Sequence, residues 1–440
     1  MQNTASSHTT PKAFRASILH LLGDPGEDLN SAQIEYWDDG LLLIKDGHIV
    51  TVGDAETLLP KLPAGCELNE YPDHLIIPGM IDTHVHYPQT DMIAAYGSQL
   101  LEWLETYTFP TEQQFSDPEH AKEVATFFLN ELLRNGTTTA LVFGTVHPES
   151  VDSFFHVAEQ LNLRMIAGKV LMDRNCPEYL QDTPDQGYQE SKTLIEKWHG
   201  KGRLAYAVTP RFAPTSSSEQ LNKAAQLLDE HPDVYMHTHL AENPDEVNWV
   251  EKLFPQSRSY LDVYHQHHLL RPRSVLAHCI HLDDDDKQCM SETGSAAAFC
   301  PTSNLFLGSG LFDLEGFRKQ GIRVGMGTDI GGGTSFNMLK TGSEAYKVTQ
   351  LRGKKLSAFQ ALYLATLSGA KALYLDDKIG NFKTGKEADF VVLNFKGTPL
   401  IERRMQHTKT LHEKLFALIM LGDDRSISAT YILGNQTFKQ

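Results

Sequence analysis

Eight short apolar runs, at residues 80–85, 139–143, 165–170, 204–208, 234–239, 275–278, 296–299 and 324–327, recur along the chain. Each is separated from the next by enough residues to hold a helix. The runs are nearly continuous in their hydrophobicity, which marks strands covered on both faces rather than strands with one wet side. Strands of that kind alternating with helices make a parallel sheet, and eight such units close into a barrel. The stretch 119–134 shows the helical pattern openly, with Phe127, Phe128, Leu132 and Leu133 as its apolar stripe and Gly136 closing it. The fold class is α/β, with a TIM-like (β/α)8 barrel expected over residues 79–380.

The flanks read differently. Residues 13–78 hold short alternating strands, with a hairpin turn at Asp46-Gly47. After a further helix around 357–374, strand character returns at 385–392 and in the tail 429–438, which turns at Gly434-Asn435. Residues 13–78 and 381–440 are expected to pair into one small β-sandwich beside the barrel. Residues 1–12 are polar and Ser/Thr-rich, so they are expected to be disordered and are no secretory signal.

Composition removes several function classes. A formal net charge of -17 speaks against nucleic-acid or anionic-membrane binding, and no apolar run approaches the ~20 residues that span a bilayer. The five cysteines are scattered, with no CxxC pair, which points to free thiols in a reducing cytoplasm rather than disulfides or a thiolate zinc site.

In a barrel of this kind chemistry gathers at the C-terminal ends of the strands. Reading those ends gives His84 and His86, then Arg211, then His239 with Glu242 just beyond, then His278, then Asp329. Residues i and i+2 of a strand point the same way, so His84 and His86 converge. With His239 and Asp329 they make a set suited to zinc or iron, leaving room for a water. A bound metal lowers the pKa of that water, and Glu242 is placed to carry its proton. His237 shares the inward face with His239 and is a rival ligand. Glu242 also reads as a solvated carboxylate opening a helix, and Arg211 as a surface ion pair. The run Asp283 to Asp286 reads as the acidic first turn of a solvated helix, lacking the alternation and glycine of a calcium loop. No dinucleotide fingerprint, GxSxG elbow or Walker loop is present, nor the HxE and PCxxC of the nucleotide-editing deaminases.

Several stretches together carry a resemblance: Pro78-Gly79-Met80-Ile81-Asp82-Thr83-His84-Val85-His86-Tyr87-Pro88-Gln89, Pro210-Arg211-Phe212-Ala213-Pro214-Thr215, His237-Thr238-His239-Leu240-Ala241-Glu242-Asn243, Ala277-His278-Cys279, Phe299-Cys300-Pro301-Thr302-Ser303-Asn304 and Met326-Gly327-Thr328-Asp329-Ile330-Gly331-Gly332. They resemble the amidohydrolase superfamily and, within it, the guanine deaminases. The resemblance implies one Zn²⁺ per chain on His84, His86, His239 and Asp329, and hydrolysis of guanine to xanthine and ammonia. It implies that Glu242 shuttles protons while His278 and Asp329 orient and deprotonate the attacking water. Gln89 and Arg211 would bond the purine edges and Phe212 border the ring, with His86, His239, Glu242 and Asp329 also meeting the substrate. A homodimer is a further implication. Two-metal members carry a carboxylated lysine ending the fourth strand; here that strand ends Thr209-Pro210-Arg211 and Lys169 lies on the third, so one metal is expected. The alternatives are a deaminase of another aminopurine, a pterin or an aminotriazine, or an inactive relative acting as a scaffold.

Overall fold

A computed structural model of the protein describes residues 10–97 and 99–440. The disorder expected at 1–12 falls, for residues 1–9, outside the described residues, and Lys12 already lies in a strand.

The eight barrel strands are β1 Met80–His86, β2 Thr137–Phe143, β3 Arg164–Gly168, β4 Ala205–Pro210, β5 Tyr235–Leu240, β6 Ser274–His278, β7 Ala296–Phe299 and β8 Arg323–Met326. They are hydrogen-bonded in chain order and each pair is parallel, with the short piece Val170–Leu171 adding to β4. β1 and β2 are buried along their whole length, which is why their sequences do not alternate.

The seam between β8 and β1 is closed by individual bonds rather than a regular ladder. The Thr83 hydroxyl donates to the Met326 carbonyl at 3.0 Å, and the Thr328 N–H to the Asp82 carboxylate at 3.0 Å. The Asp329 N–H donates to the His84 carbonyl at 2.9 Å, and the His86 N–H to the Ile330 carbonyl at 3.0 Å. The last turn of the barrel therefore clamps the segment carrying Asp329 onto the two histidines of β1.

The helix Pro118–Arg134 is started by Asp117, whose carboxylate accepts the Glu119 N–H at 3.0 Å, and is followed by Gly136 in the left-handed region at φ 77°. Its inner stripe is Phe128, Leu132 and Leu133, joined by Val124 and Leu129. Phe127, expected on that stripe, is 56% exposed: the buried positions recur as 124 and 125, 128 and 129, 132 and 133, and 127 falls just outside them.

Both ends of the chain meet in a second, seven-stranded mixed sheet. Its order is Asn435–Lys439, Ile427–Ile432, Phe390–Asn394, Glu67–Pro78, Lys12–Leu21, Ile34–Lys45 and His48–Asp54. The sheet curls so that its edge strand His48–Asp54 meets the segment leading into Phe390–Asn394: the Ala388 N–H donates to the Gly47 carbonyl at 2.9 Å and the Ile49 N–H to the Lys386 carbonyl at 2.8 Å. Inside the curl, Phe390 stacks on Tyr431 at 4.4 Å and Phe14 meets Phe390 edge-on at 4.8 Å. Asp46 and Gly47, at φ 51° and 75°, form the expected turn, whereas the C-terminal hairpin turns at Leu433 and Gly434, one residue early. Residues 395–426, expected within the sandwich, contain two helices, Pro399–Met405 and Leu411–Leu421. The second is opened by a capping box between Thr410 and Glu413 and buries Leu415 and Leu418. Among the described residues no helix is long and apolar enough to cross a membrane.

Sheet and barrel are joined at the N-terminal end of β3 and β4. Glu387 accepts from Arg164 Nε at 2.9 Å and from Arg203 Nη2 at 2.6 Å, and Arg203 also pairs with Asp389. All four side chains are nearly buried. Replacing Glu387 with Ala leaves the buried Arg164 guanidinium without its carboxylate and takes one of two from Arg203, and a loss of about 3–5 kcal/mol of stability is expected. Urea unfolding measures it; a loss below about 1 kcal/mol would mean that solvent screens the cluster.

Candidate active site

The strand ends bring the sequence-selected groups to one point. His84 Nε2 lies 3.1 Å and His86 Nε2 3.4 Å from the same Asp329 oxygen, and His86 Nε2 lies 3.1 Å from His239 Nε2. Ligand atoms of His84, His86 and His239 all fall within 4.8 Å of one another. Burial and the crowding of neighbouring cationic groups hold these three imidazoles well below their usual pKa, so each is neutral. The His239 tautomer is set by its backbone partner: Nδ1 donates to the Arg211 carbonyl at 2.7 Å, which leaves the Nε2 lone pair facing His86. His84 Nδ1 is engaged with His237 Nε2 at 2.8 Å, and His84 Nε2, though buried, has no hydrogen-bond partner. Facing lone pairs, an orphaned ring nitrogen and one carboxylate fit a divalent transition metal, with the outer nitrogens of His84 and His239 fixed from behind.

His237, the rival ligand, sits behind His84 on its Nδ1 side and is not among the converging ligand atoms. Cys300, at the end of β7, has its Sγ within 4.8 Å of ligand atoms of His84 and Asp329; no cysteine spacing in the sequence pointed there. Lys169 is buried with its amine 2.7 Å from Asp182 and 3.3 Å from Glu190, among helices outside the histidine cluster.

Glu242 is 3% exposed rather than solvated. Its Oε1 accepts from the Ser309 hydroxyl at 2.9 Å, and its Oε2 lies 3.4 Å from His278 Nε2. Burial pushes its carboxyl up to about 7, against the pull of His278 and with the push of Asp329 and Glu246. The backbone is held too: the N–H groups of Glu242 and Asn243 donate to Glu246 at 2.9 and 3.2 Å, and Glu246 accepts from the Tyr260 hydroxyl at 2.8 Å. The Asn243 bond belongs to the capping box that opens the helix Pro244–Leu253. His278 Nδ1 is 2.9 Å from Asn304 Oδ1, and its Nε2 is 3.7 Å from Asp329. Burial alone depresses the His278 pKa, but the two carboxylates outweigh it and raise it above the ordinary value.

Arg211 is 2% exposed and is no surface ion pair. Its Nη1 donates to both oxygens of Glu112, at 3.0 and 2.8 Å. Gln89 donates from Nε2 to Glu112 at 3.2 Å and accepts the Gly331 N–H on Oε1 at 3.1 Å. Both line the pocket with His86, His239, Glu242, His278 and Asp329, and Phe212, Leu100 and Trp103 add apolar wall. Sequence reasoning placed all of these polar groups but missed Glu112, Ser309 and Glu246; Asn304 was visible only inside the Phe299-to-Asn304 stretch.

The chain matches the amidohydrolase family over residues 75–437. It is 54% identical over 437 residues to guanine deaminase of Escherichia coli (strain K12), covering 99% of both chains. The solved structure of the E. coli guanine deaminase superposes with a TM-score of 0.95 at 53% identity, covering 98% of this chain and 100% of that one. The structure of the guanine deaminase from C. acetobutylicum with guanine bound in its active site superposes with a TM-score of 0.88 at 29% identity, with the same two coverages of 98% and 100%.

Proposed function

The chain belongs to the amidohydrolase family and, within it, to the guanine deaminases, hydrolases that act on a C–N bond; from that premise we propose how its pocket performs the reaction. Guanine and water give xanthine and ammonia. His84, His86, His239 and Asp329 hold one zinc ion per chain, a reading supported by three neutral imidazoles and a carboxylate converging where a buried nitrogen lacks a partner. When bound, the ion supplies Lewis acidity that lowers the pKa of a water from ~15.7 toward ~7.

The protein's own groups do the rest. His278 and Asp329 orient the water for attack on C2 of guanine. Glu242 takes its proton and delivers it to N3 as the C–O bond forms. When the C2–N bond breaks, Glu242 takes the remaining proton from the C2 hydroxyl and passes it to the departing amino group, so that ammonia leaves and the C2 carbonyl of xanthine forms. The observation that carries this reading is the Glu242 carboxyl, buried in the same pocket as the metal donors with Oε2 3.4 Å from His278 Nε2, where burial raises its pKa. A group with a pKa of about 7 accepts and releases a proton with comparable ease near neutral pH.

Arg211 and Gln89 hydrogen-bond the purine edges, and Phe212 borders the ring. The guanidinium reads O6, a carbonyl that adenine lacks; a base without it leaves a buried charged donor unpaired. Arg211→Gln, which keeps a donor for Glu112, is expected to lower kcat/KM for guanine about 100-fold, some 2.7 kcal/mol of transition-state binding, with metal content unchanged. Kinetics on guanine, adenine, a pterin and an aminotriazine test the assignment, and an equal loss on all four would remove Arg211 from substrate reading. The free thiols of all five cysteines support placing the enzyme in a reducing cytoplasm.

A further inference from the structure

Glu112 belongs to no sequence motif and touches no reacting group, yet it is fully buried at 0% exposure beside the pocket. It sits on the short helix Phe109–Glu112, in the segment that connects β1 to the helix Pro118–Arg134. Its partners come from two places: Gln89 from just after β1, and Arg211 from just after β4. One carboxylate thus ties together two side chains that border the substrate and come from strand ends far apart in the chain.

We propose that Glu112 is a positioning residue that fixes which donors and acceptors Arg211 and Gln89 present to the substrate, and so sets the enzyme's preference for a 6-oxopurine; this rests on the guanine reading above. Both oxygens of Glu112 bind a single guanidinium nitrogen, Nη1. That consumes one end of the Arg211 fork and leaves Nε and Nη2 as the donors available to a ligand. The Gln89 amide is held by two opposite demands. The Glu112 carboxylate accepts only, so it requires Nε2 on its side, and the Gly331 N–H donates only, so it requires Oε1 on the other. The amide cannot turn over without losing both bonds. A pocket whose donors are locked discriminates sharply between a carbonyl and an amino group, because the wrong ligand cannot recruit a rearranged partner. Glu112 also neutralises the Arg211 charge, so the guanidinium can stay buried next to the histidines between substrates.

The test compares guanine with 2,6-diaminopurine, which carries the same 2-amino group but an amino group in place of O6. In Glu112→Gln, the new amide can offer either its oxygen or its nitrogen to Gln89, and Arg211 loses its anionic partner. The expected result is a fall of about tenfold or more in the ratio of kcat/KM for guanine to that for 2,6-diaminopurine. The loss should fall on the KM for guanine, with kcat and bound metal close to wild type, because Glu242, His278 and the metal donors are untouched. A folded, metal-replete variant whose substrate ratio stays within about twofold of wild type would overturn the proposal. If Glu112→Gln does not fold, Glu112→Asp decides the matter: it keeps the charge but withdraws the carboxylate by one methylene, and the same fall in ratio is expected. An unchanged ratio in that variant overturns the role equally. Wild-type enzyme run alongside separates the two levels: no turnover of guanine by wild type removes the functional reading itself, whereas normal wild-type turnover with unchanged variants removes only Glu112.

Discussion

Glu242→Gln is expected to lower kcat on guanine by about 10⁴-fold, at the upper end of general acid–base effects, because one carboxyl handles every proton in the proposed sequence. Bound metal should remain near the wild-type level. Glu242 is not among the converging ligand atoms; its oxygens face Ser309 and His278, and a glutamine can still accept from the Ser309 hydroxyl. The wild-type acid limb has a definite sign. Glu242 must begin as a carboxylate, so kcat/KM falls as pH drops through its pKa. Burial, helped by Asp329 and Glu246 and opposed by His278 and Ser309, puts that pKa at about 7, and a cation held nearby pulls the limb below that value. The variant should lack this limb. Steady-state kinetics across pH, with metal analysis on the same preparations, check both statements. Turnover near wild type would take the proton transfers away from Glu242.

Asp329→Asn should behave differently, and the contrast separates the two carboxylates. Asp329 is the group on which the cluster converges, within 3.1 Å of His84 and 3.4 Å of His86, and it also approaches His278 at 3.7 Å. An asparagine there keeps the shape but removes the only negative charge in the proposed ligand set. Metal affinity is expected to fall by more than about 100-fold, and turnover with it to the limit of detection. Metal content after dialysis against a weak chelator, measured with kcat, reads the outcome. An Asp329→Asn enzyme that retains a full equivalent of metal would show that the carboxylate is not a ligand.

The barrel was legible because parallel strands covered on both faces leave near-continuous apolar runs, and β7 coincides with its run at residues 296–299. The polar groups of the site were legible for a related reason: in such a barrel they stand at the ends of those runs, His239 and His278 closing theirs and Asp329 following shortly after its own. What lay hidden depends on contacts between distant segments. Glu112 lies 99 residues from Arg211 and Ser309 lies 67 residues from Glu242, and neither carries a local pattern that announces its partner. Phe127 was misplaced because the buried face of its helix follows Val124 and Ala125, Phe128 and Leu129, then Leu132 and Leu133, and position 127 falls just outside that stripe. The helix Leu411–Leu421 was passed over although Thr410 and Glu413 spell out its start; its apolar run reads equally well as a strand until that cap is weighed.

The measurement that tests the account most directly is the stoichiometry of ammonia and xanthine formed from guanine by purified protein whose metal content has been quantified. Equimolar products are expected from enzyme holding about one zinc per chain, with turnover lost on chelation and restored by zinc. Protein that is folded and fully metallated yet leaves guanine intact would contradict it.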